Sequence, residues 1–139
     1  MTVPFNITRR VQFAETDMAG VLHFSNYYRW MEEIEHAFWR SRGLSVLIDG
    51  GEISWPRVKT GCEYYDPARF EDEVLLTLRV INVGDSSVAF EVEFHRDDRR
   101  LAKGTTIAVC CAVRGGEFSS IPIPDNVREK LLAAVAKTD

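Results

Sequence analysis

Apolar side chains recur every three or four residues from Tyr27 through Trp30, Met31, Ile34 and Phe38, while Arg29, Glu32, Glu33 and His36 lie largely off that face. This period predicts a long amphipathic helix over Asn26 to Arg42. Ser25 or Asn26 suits its N-cap, where a side-chain oxygen accepts an early N–H, and Gly43 after Arg40 and Arg42 suits its stop. Ahead of it the period changes. Val3 to Phe13 alternates as a strand with Val11 and Phe13 on one face, and the turn material around Ala19 and Gly20 ends it.

Beyond the helix, Leu44 to Ile48 reads as a short turn or helix, and Asp49-Gly50-Gly51 breaks the chain. Ile53 to Tyr65 reads as one strand, with Pro56 marking an edge or bulge. Past Asp66-Pro67, three runs predict an antiparallel meander. Val74, Leu76, Leu78 and Val80 alternate with Thr77 and Arg79, and Val88, Phe90, Val92 and Phe94 alternate with Glu91, Glu93 and His95. The third run, Ala102 to Val113, is apolar on both parities and suits an interior strand packed on each side. Turns fall at Gly84-Asp85-Ser86 and Asp97-Asp98-Arg99. After Pro122 and Pro124, Asp125 to Lys137 predicts a short packing helix carrying Val127, Leu131 and Val135. The order of strand, long helix, further strands and terminal helix gives an α+β domain with a sheet curled around one helix.

Length and composition narrow this picture. The chain has 139 residues, 45% hydrophobic and 27% charged, which fits one domain over residues 1–139 with a single core. Seventeen basic and twenty-one acidic residues leave a formal charge of -4, so no global field favours nucleic acid or an anionic membrane. No apolar run approaches the roughly 20 residues that span a bilayer, and Met1 to Thr8 lacks signal-peptide order, so the expected compartment is the cytoplasm. Cys62, Cys110 and Cys111 make no disulfide framework, and with His23, His36 and His95 they offer no metal-ligand spacing.

The candidate chemistry lies between the first strand and the helix. There Asp17 stands a few residues ahead of a helix start, whose free N–H groups and dipole can polarise a carbonyl. Asp17 can serve as nucleophile or base in acyl chemistry; aspartate also suits a plain turn or cap, because its oxygen bonds nearby N–H groups. Other residues have simpler expectations. Glu15 reads as a solvated strand-end charge, Ser25 as a cap lacking any G-x-S-x-G elbow, and Cys62 as a buried inert thiol. Trp55, Val58 and Thr60 are pocket candidates, whereas Arg96, Arg99, Arg100 and Lys103 alternate with Asp97 and Asp98 as a solvated hairpin.

Phe13, Thr16-Asp17, Ala19-Gly20-Val21, Asn26-Tyr27, Arg29-Trp30 and Gly43, with Tyr65, Pro67, Phe70 and Asp72, carry a resemblance across nearly the whole chain. In these residues the chain resembles the hot-dog-fold acyl-CoA thioesterases of the 4-hydroxybenzoyl-CoA thioesterase type. The resemblance implies a curved antiparallel sheet wrapped around one long central helix. It implies a homodimer or dimer of dimers with sites at the subunit interface, an acyl-CoA substrate, and no metal or redox cofactor. It assigns catalysis to Asp17, places carbonyl polarisation on the backbone amide of Phe24, and gives substrate contact to Gly20, Val21, Leu22, His23, Asn26 and Tyr27. Many relatives carry a histidine one position later, where this chain has Phe24, so His23 either orients water or the acyl group or is a polar loop residue. A dehydratase is disfavoured, since the helix after His23 lacks the Gly and Pro of that branch. The remaining alternatives are a carrier-protein thioesterase and a non-catalytic module that binds acyl-CoA or a protein; thioester hydrolysis separates the module from the enzymes.

Overall fold

The computed structural model describes residues 4–135, apart from the side chain of Asp49. The expected strand start at Val3 and helix end at Lys137 lie outside those residues. Five antiparallel strands form the main sheet in the order β1-β4-β5-β6-β3, with β1 at Phe5–Arg10, β3 at Arg57–Tyr64, β4 at Glu73–Val83, β5 at Ser87–Arg96 and β6 at Arg99–Val109. The helix α1, Phe24–Ser41, packs on one face of that sheet, and a shorter helix α2 spans Asp125–Ala133. This is the expected α+β arrangement, a hot-dog fold.

Period-two patterning builds the inner face. Register aligns Leu76, Phe94, Ala102 and Tyr64 in one row and Leu78, Val92, Gly104 and Cys62 in the next. Against these rows α1 buries Tyr27, Trp30, Met31, Ile34 and Phe38, the face its sequence period marks. Burying each such side chain stabilises by roughly 1.5–3 kcal/mol, so packing rather than helix propensity holds α1 in place. Gly104 lets the helix sit close: a Cβ there would stand 2.4 Å from Met31 Sδ.

Three expected elements change where the chain meets a partner that its own pattern does not encode. The strand expected over Ile53 to Tyr65 divides at Pro56, which has no N–H to donate; β2, Ile53–Ser54, leaves the main sheet to pair with β7, Cys111–Arg114. The strand expected over Ala102 to Val113 divides at Cys110, whose N–H donates to Ser86 O and whose carbonyl accepts from Ile121 N–H. Its outward residues Lys103, Thr105, Ile107 and Val109 are half-buried rather than enclosed. β7 also pairs with an unanticipated strand β8, Glu117–Ser120, across Gly115 and Gly116, both at positive φ. Finally, β1 stops at Arg10 instead of Phe13. A 3-10 turn at Phe13–Glu15 follows, leaving Val11 buried and Phe13 exposed.

One buried charge tests the core. Glu35 on α1 is 4% exposed, and its Oε1 accepts from Arg57 Nη1 at 2.7 Å. Burial pushes its carboxyl above the ordinary glutamate range, outweighing the pull of Arg57. With the folded pKa above the unfolded one, the stabilisation is complete below the ordinary glutamate range and is lost as pH rises through the raised value. In urea titrations across pH, the stability of wild type minus that of Glu35→Gln is expected to fall over that window. A flat difference would contradict it.

Candidate active site

The chain from the 3-10 turn to α1 forms a compact loop. Thr16 and Leu22 make an antiparallel bridge, Val21 bridges to Arg69, and Leu22 N–H donates to Ala68 O at 2.8 Å. Within it, Asp17 N–H donates to Val21 O at 2.9 Å, and Gly20 N–H donates to Asp17 O at 3.0 Å. Gly20 has φ +78, a conformation that strains any residue with a Cβ. The Asp17 side chain divides its oxygens. Oδ1 accepts from Ala19 N–H at 2.8 Å and from Val21 N–H at 3.4 Å, while Oδ2 accepts no hydrogen bond among the described residues.

Helix α1 begins two residues earlier than Ser25 as cap would require, and three earlier than Asn26 would. The N-cap is His23, whose Nδ1 accepts from Ser25 N–H at 3.2 Å and lies 2.8 Å from Ser25 Oγ. An imidazole nitrogen fills the role that capping oxygens normally fill. Asn26 N–H donates to His23 O. Phe24, the first helical residue, has an N–H with no acceptor among the described residues, in line with the orphan donors of any helix start.

Asp17 and Phe24 line one cavity of about 360 Å³ together with Val21 and Leu22. Its other walls are Tyr27 on α1, Tyr64 at the end of β3, and Tyr65, Asp66 and Pro67 beyond it. The Tyr27 ring stands edge-on to Tyr64 and to Phe94, at 5.1 Å in each case. Burial pushes the Tyr27 hydroxyl up to about 12, and burial likewise raises Tyr64, whose hydroxyl donates to Phe24 O at 3.3 Å. Both phenols therefore stay protonated at neutral pH and act as hydrogen-bonding groups rather than bases. Of the two carboxylates in the walls, Asp66 is paired with Arg96 at 3.2 Å and Arg99 at 3.3 Å. Both cations meet Asp66 at Oδ2, whereas Asp17 has no cationic partner among the described residues and only backbone N–H groups bond it, all at Oδ1.

The structure thus brings Asp17, Val21, Leu22, Phe24 and Tyr27 to one cavity and leaves Gly20, His23 and Asn26 outside its lining. Those three shape the backbone instead: Gly20 closes the turn, His23 caps α1, and Asn26 Nδ2 donates to Glu15 O at 2.9 Å. Trp55 is buried against Trp39 with ring centroids 5.3 Å apart, and Val58 and Thr60 are exposed, so none of these pocket candidates reaches the cavity. Glu15 is a half-buried hydrogen-bond acceptor rather than a solvated charge, because Arg9 and Trp30 donate to it. Cys62 is only partly buried, and burial raises its thiol. In the basic hairpin, Arg96 is tied to Asp66 and Asp72, and Arg100 lies over the Tyr65 ring at 4.4 Å. Tyr64 and Asp66 were missed as cavity residues. Their only sequence signal was the Tyr64-Tyr65-Asp66-Pro67 run at a strand end.

The profile of the Thioesterase superfamily matches residues 19–103. A candidate esterase from Aquifex aeolicus (strain VF5) is 34% identical over 122 residues, covering 86% of this chain and 93% of that protein. A 1,4-dihydroxy-2-naphthoyl-CoA hydrolase from Synechocystis sp. (strain ATCC 27184 / PCC 6803 / Kazusa) is 26% identical over 124 residues, covering 86% of this chain and 90% of its own. The solved structure of BH1999 gentisyl-coenzyme A thioesterase matches with a TM-score of 0.79 at 32% identity, covering 88% of this chain and 98% of that one. Because the profile spans more than half of the chain and the Aquifex relative shares a third of its aligned residues, this chain belongs to the thioesterase superfamily and is a thioester hydrolase.

Proposed function

We propose that the enzyme hydrolyses an acyl-CoA thioester to the free acid and coenzyme A, with Asp17 as nucleophile or general base. The observation that carries this reading is the shared cavity, lined both by Asp17, whose Oδ2 accepts no hydrogen bond, and by Phe24, whose N–H has no acceptor, among the described residues. In the nucleophilic route, the Asp17 carboxylate attacks the thioester carbon, the C–S bond breaks, and the coenzyme A thiolate leaves. Water then hydrolyses the resulting anhydride. In the general-base route, Asp17 takes a proton from the water that attacks. Either way the carbonyl oxygen gains negative charge, and the Phe24 amide at the positive end of α1 stabilises it. Neither route draws on a metal or redox cofactor; coenzyme A enters as part of the substrate.

The acyl group we favour is aromatic. Phe24, Tyr27, Tyr64 and Tyr65 supply rings to the cavity, whose volume lies in the range of small-molecule sites. The Synechocystis and BH1999 relatives carry names of aromatic acyl-CoA hydrolases. We further propose a homodimer joined at β3, one of the two terminal strands of the main sheet, which exposes the apolar side chains of Val58 and Tyr64. The three cysteines are free, which suits a reducing cytoplasm.

The test is hydrolysis of short, long, branched and aromatic acyl-CoAs, followed by free-thiol release. Aromatic substrates are expected to give the highest kcat/KM. A preference for aliphatic chains would refute the aromatic assignment, and no turnover on any member by the folded protein would refute CoA thioester hydrolysis in favour of a carrier-protein substrate or a binding module.

A further inference from the structure

We propose that Glu15 is a positioning residue, the joint that holds the Asp17 turn against the first turns of α1. The inference rests on the roles of Asp17 and Phe24 given above. Glu15 stands two residues before Asp17 and is absent from the cavity lining, yet both its side chain and its main chain are engaged. Its Oε2 accepts from Trp30 Nε1 and from Arg9 Nη2, each at 2.9 Å, and its Oε1 accepts from Gln12 N–H at 2.9 Å. Its carbonyl accepts from His23 N–H at 2.8 Å and from Asn26 Nδ2 at 2.9 Å. His23 is the cap of α1, Asn26 lies in its first turn and Trp30 in its second, so one residue is fastened to three successive levels of the helix.

The turn between Asp17 and Phe24 is closed by its own hydrogen bonds, from Asp17 N–H to Val21 O and from Gly20 N–H to Asp17 O, and neither of these reaches α1. Covalently, Asp17 reaches Phe24 only through residues 18–23, and Met18 at the tip of that turn is fully exposed. Glu15 bypasses this turn. Its side chain is only 18% exposed, and the Arg9 guanidinium, shared between Glu15 through Nη2 and Glu33 through Nη1, lies over the Trp30 ring at 4.6 Å, so carboxylate, cation and indole form one packed unit. Loosening that unit lets the Asp17 turn shift relative to the Phe24 amide. A displacement of about 1 Å between reacting groups costs about 10²-fold in rate.

The decisive variant is Glu15→Gln, which keeps shape but replaces one acceptor oxygen with an amide that faces existing donors. We expect kcat to fall about 10- to 100-fold with KM within about threefold of wild type, measured well below the variant's unfolding temperature. A merely structural Glu15 would lower that temperature and leave kcat of the folded enzyme within about twofold, which overturns the proposal. Should Glu15→Gln fail to fold, Asn26→Ala decides by the same split, since it removes one of the two donors to the Glu15 carbonyl and leaves that of His23 in place. A loss of kcat supports the joint, and an unchanged kcat overturns it. Asp17→Asn assayed in parallel keeps the two readings apart: turnover retained there sinks the catalytic assignment itself, whereas turnover lost there but kept in Glu15→Gln sinks only the positioning role.

Discussion

Asp17→Asn is expected to lower kcat by at least about 10²- to 10⁴-fold, the range that a positioned base contributes, while leaving the protein folded and able to bind substrate. The geometry separates the two functions of this residue. Asparagine keeps a carbonyl oxygen at the place of Oδ1, so the hydrogen bonds from Ala19 and Val21 N–H that shape the turn survive. What it removes is the charge and basicity of the second oxygen, which no protein group engages among the described residues. Thermal unfolding within about 1 kcal/mol of wild type, together with retained binding of a non-hydrolysable acyl-CoA analogue, would place the loss in chemistry. Turnover near the wild-type rate would reduce Asp17 to a turn residue.

The second large effect is expected at Phe24, where substitution can delete a backbone N–H without breaking a helix. Phe24 is the first residue of α1, a position that accepts proline because its N–H has no intrahelical partner. His23 before it has φ -62 and ψ 135, the extended conformation that a residue preceding proline prefers. Phe24→Pro should therefore fold about as well as Phe24→Ala, since both lose the ring and only the proline loses the amide hydrogen. Relative to Phe24→Ala, kcat of Phe24→Pro is expected to fall about 10²- to 10³-fold, the usual cost of one oxyanion donor. Equal kcat values in the two variants would remove this amide from the mechanism.

The parts of the fold readable in the sequence are those that a single element decides. The apolar stripe from Tyr27 to Phe38 lies in the core, and the alternating faces of β4 and β5 are buried where the pattern places them, because each reflects one element's burial on one side. The breaks at Pro56 and Cys110 depend instead on which strand each half pairs with, a non-local choice that alternation does not carry. β8 is too polar to stand out as a strand; only Gly115-Gly116, a two-residue hairpin signal, announces it.

The site divides along the same line. Asp17 and the adjacent helix start are neighbours in sequence and were legible there. Tyr64 and Asp66 come from the far end of β3 and the loop after it, and the edge-on contact of Tyr64 with Tyr27 on α1 joins that end to the cavity. Glu15 was misread because composition marks a glutamate as solvated, whereas the indole N–H of Trp30 and the guanidinium of Arg9 make its partial burial favourable. His23 displaced the expected cap for a similar reason: the acceptor is a ring nitrogen, and Ser25 beside it supplies the capped N–H.

Gly104 has a consequence that reaches beyond packing. The helix rests on the sheet at Met31, about two turns from Phe24, or roughly 10 Å along the axis. A methyl group added at position 104 would meet Met31 Sδ and Cε, the pliable end of an unbranched thioether, so the Met31 rotamer yields before the helix axis does. The missing methyl group on β6 thus selects the conformation of one side chain on α1, and the contact between sheet and helix gives way at a side chain before it gives way at an element.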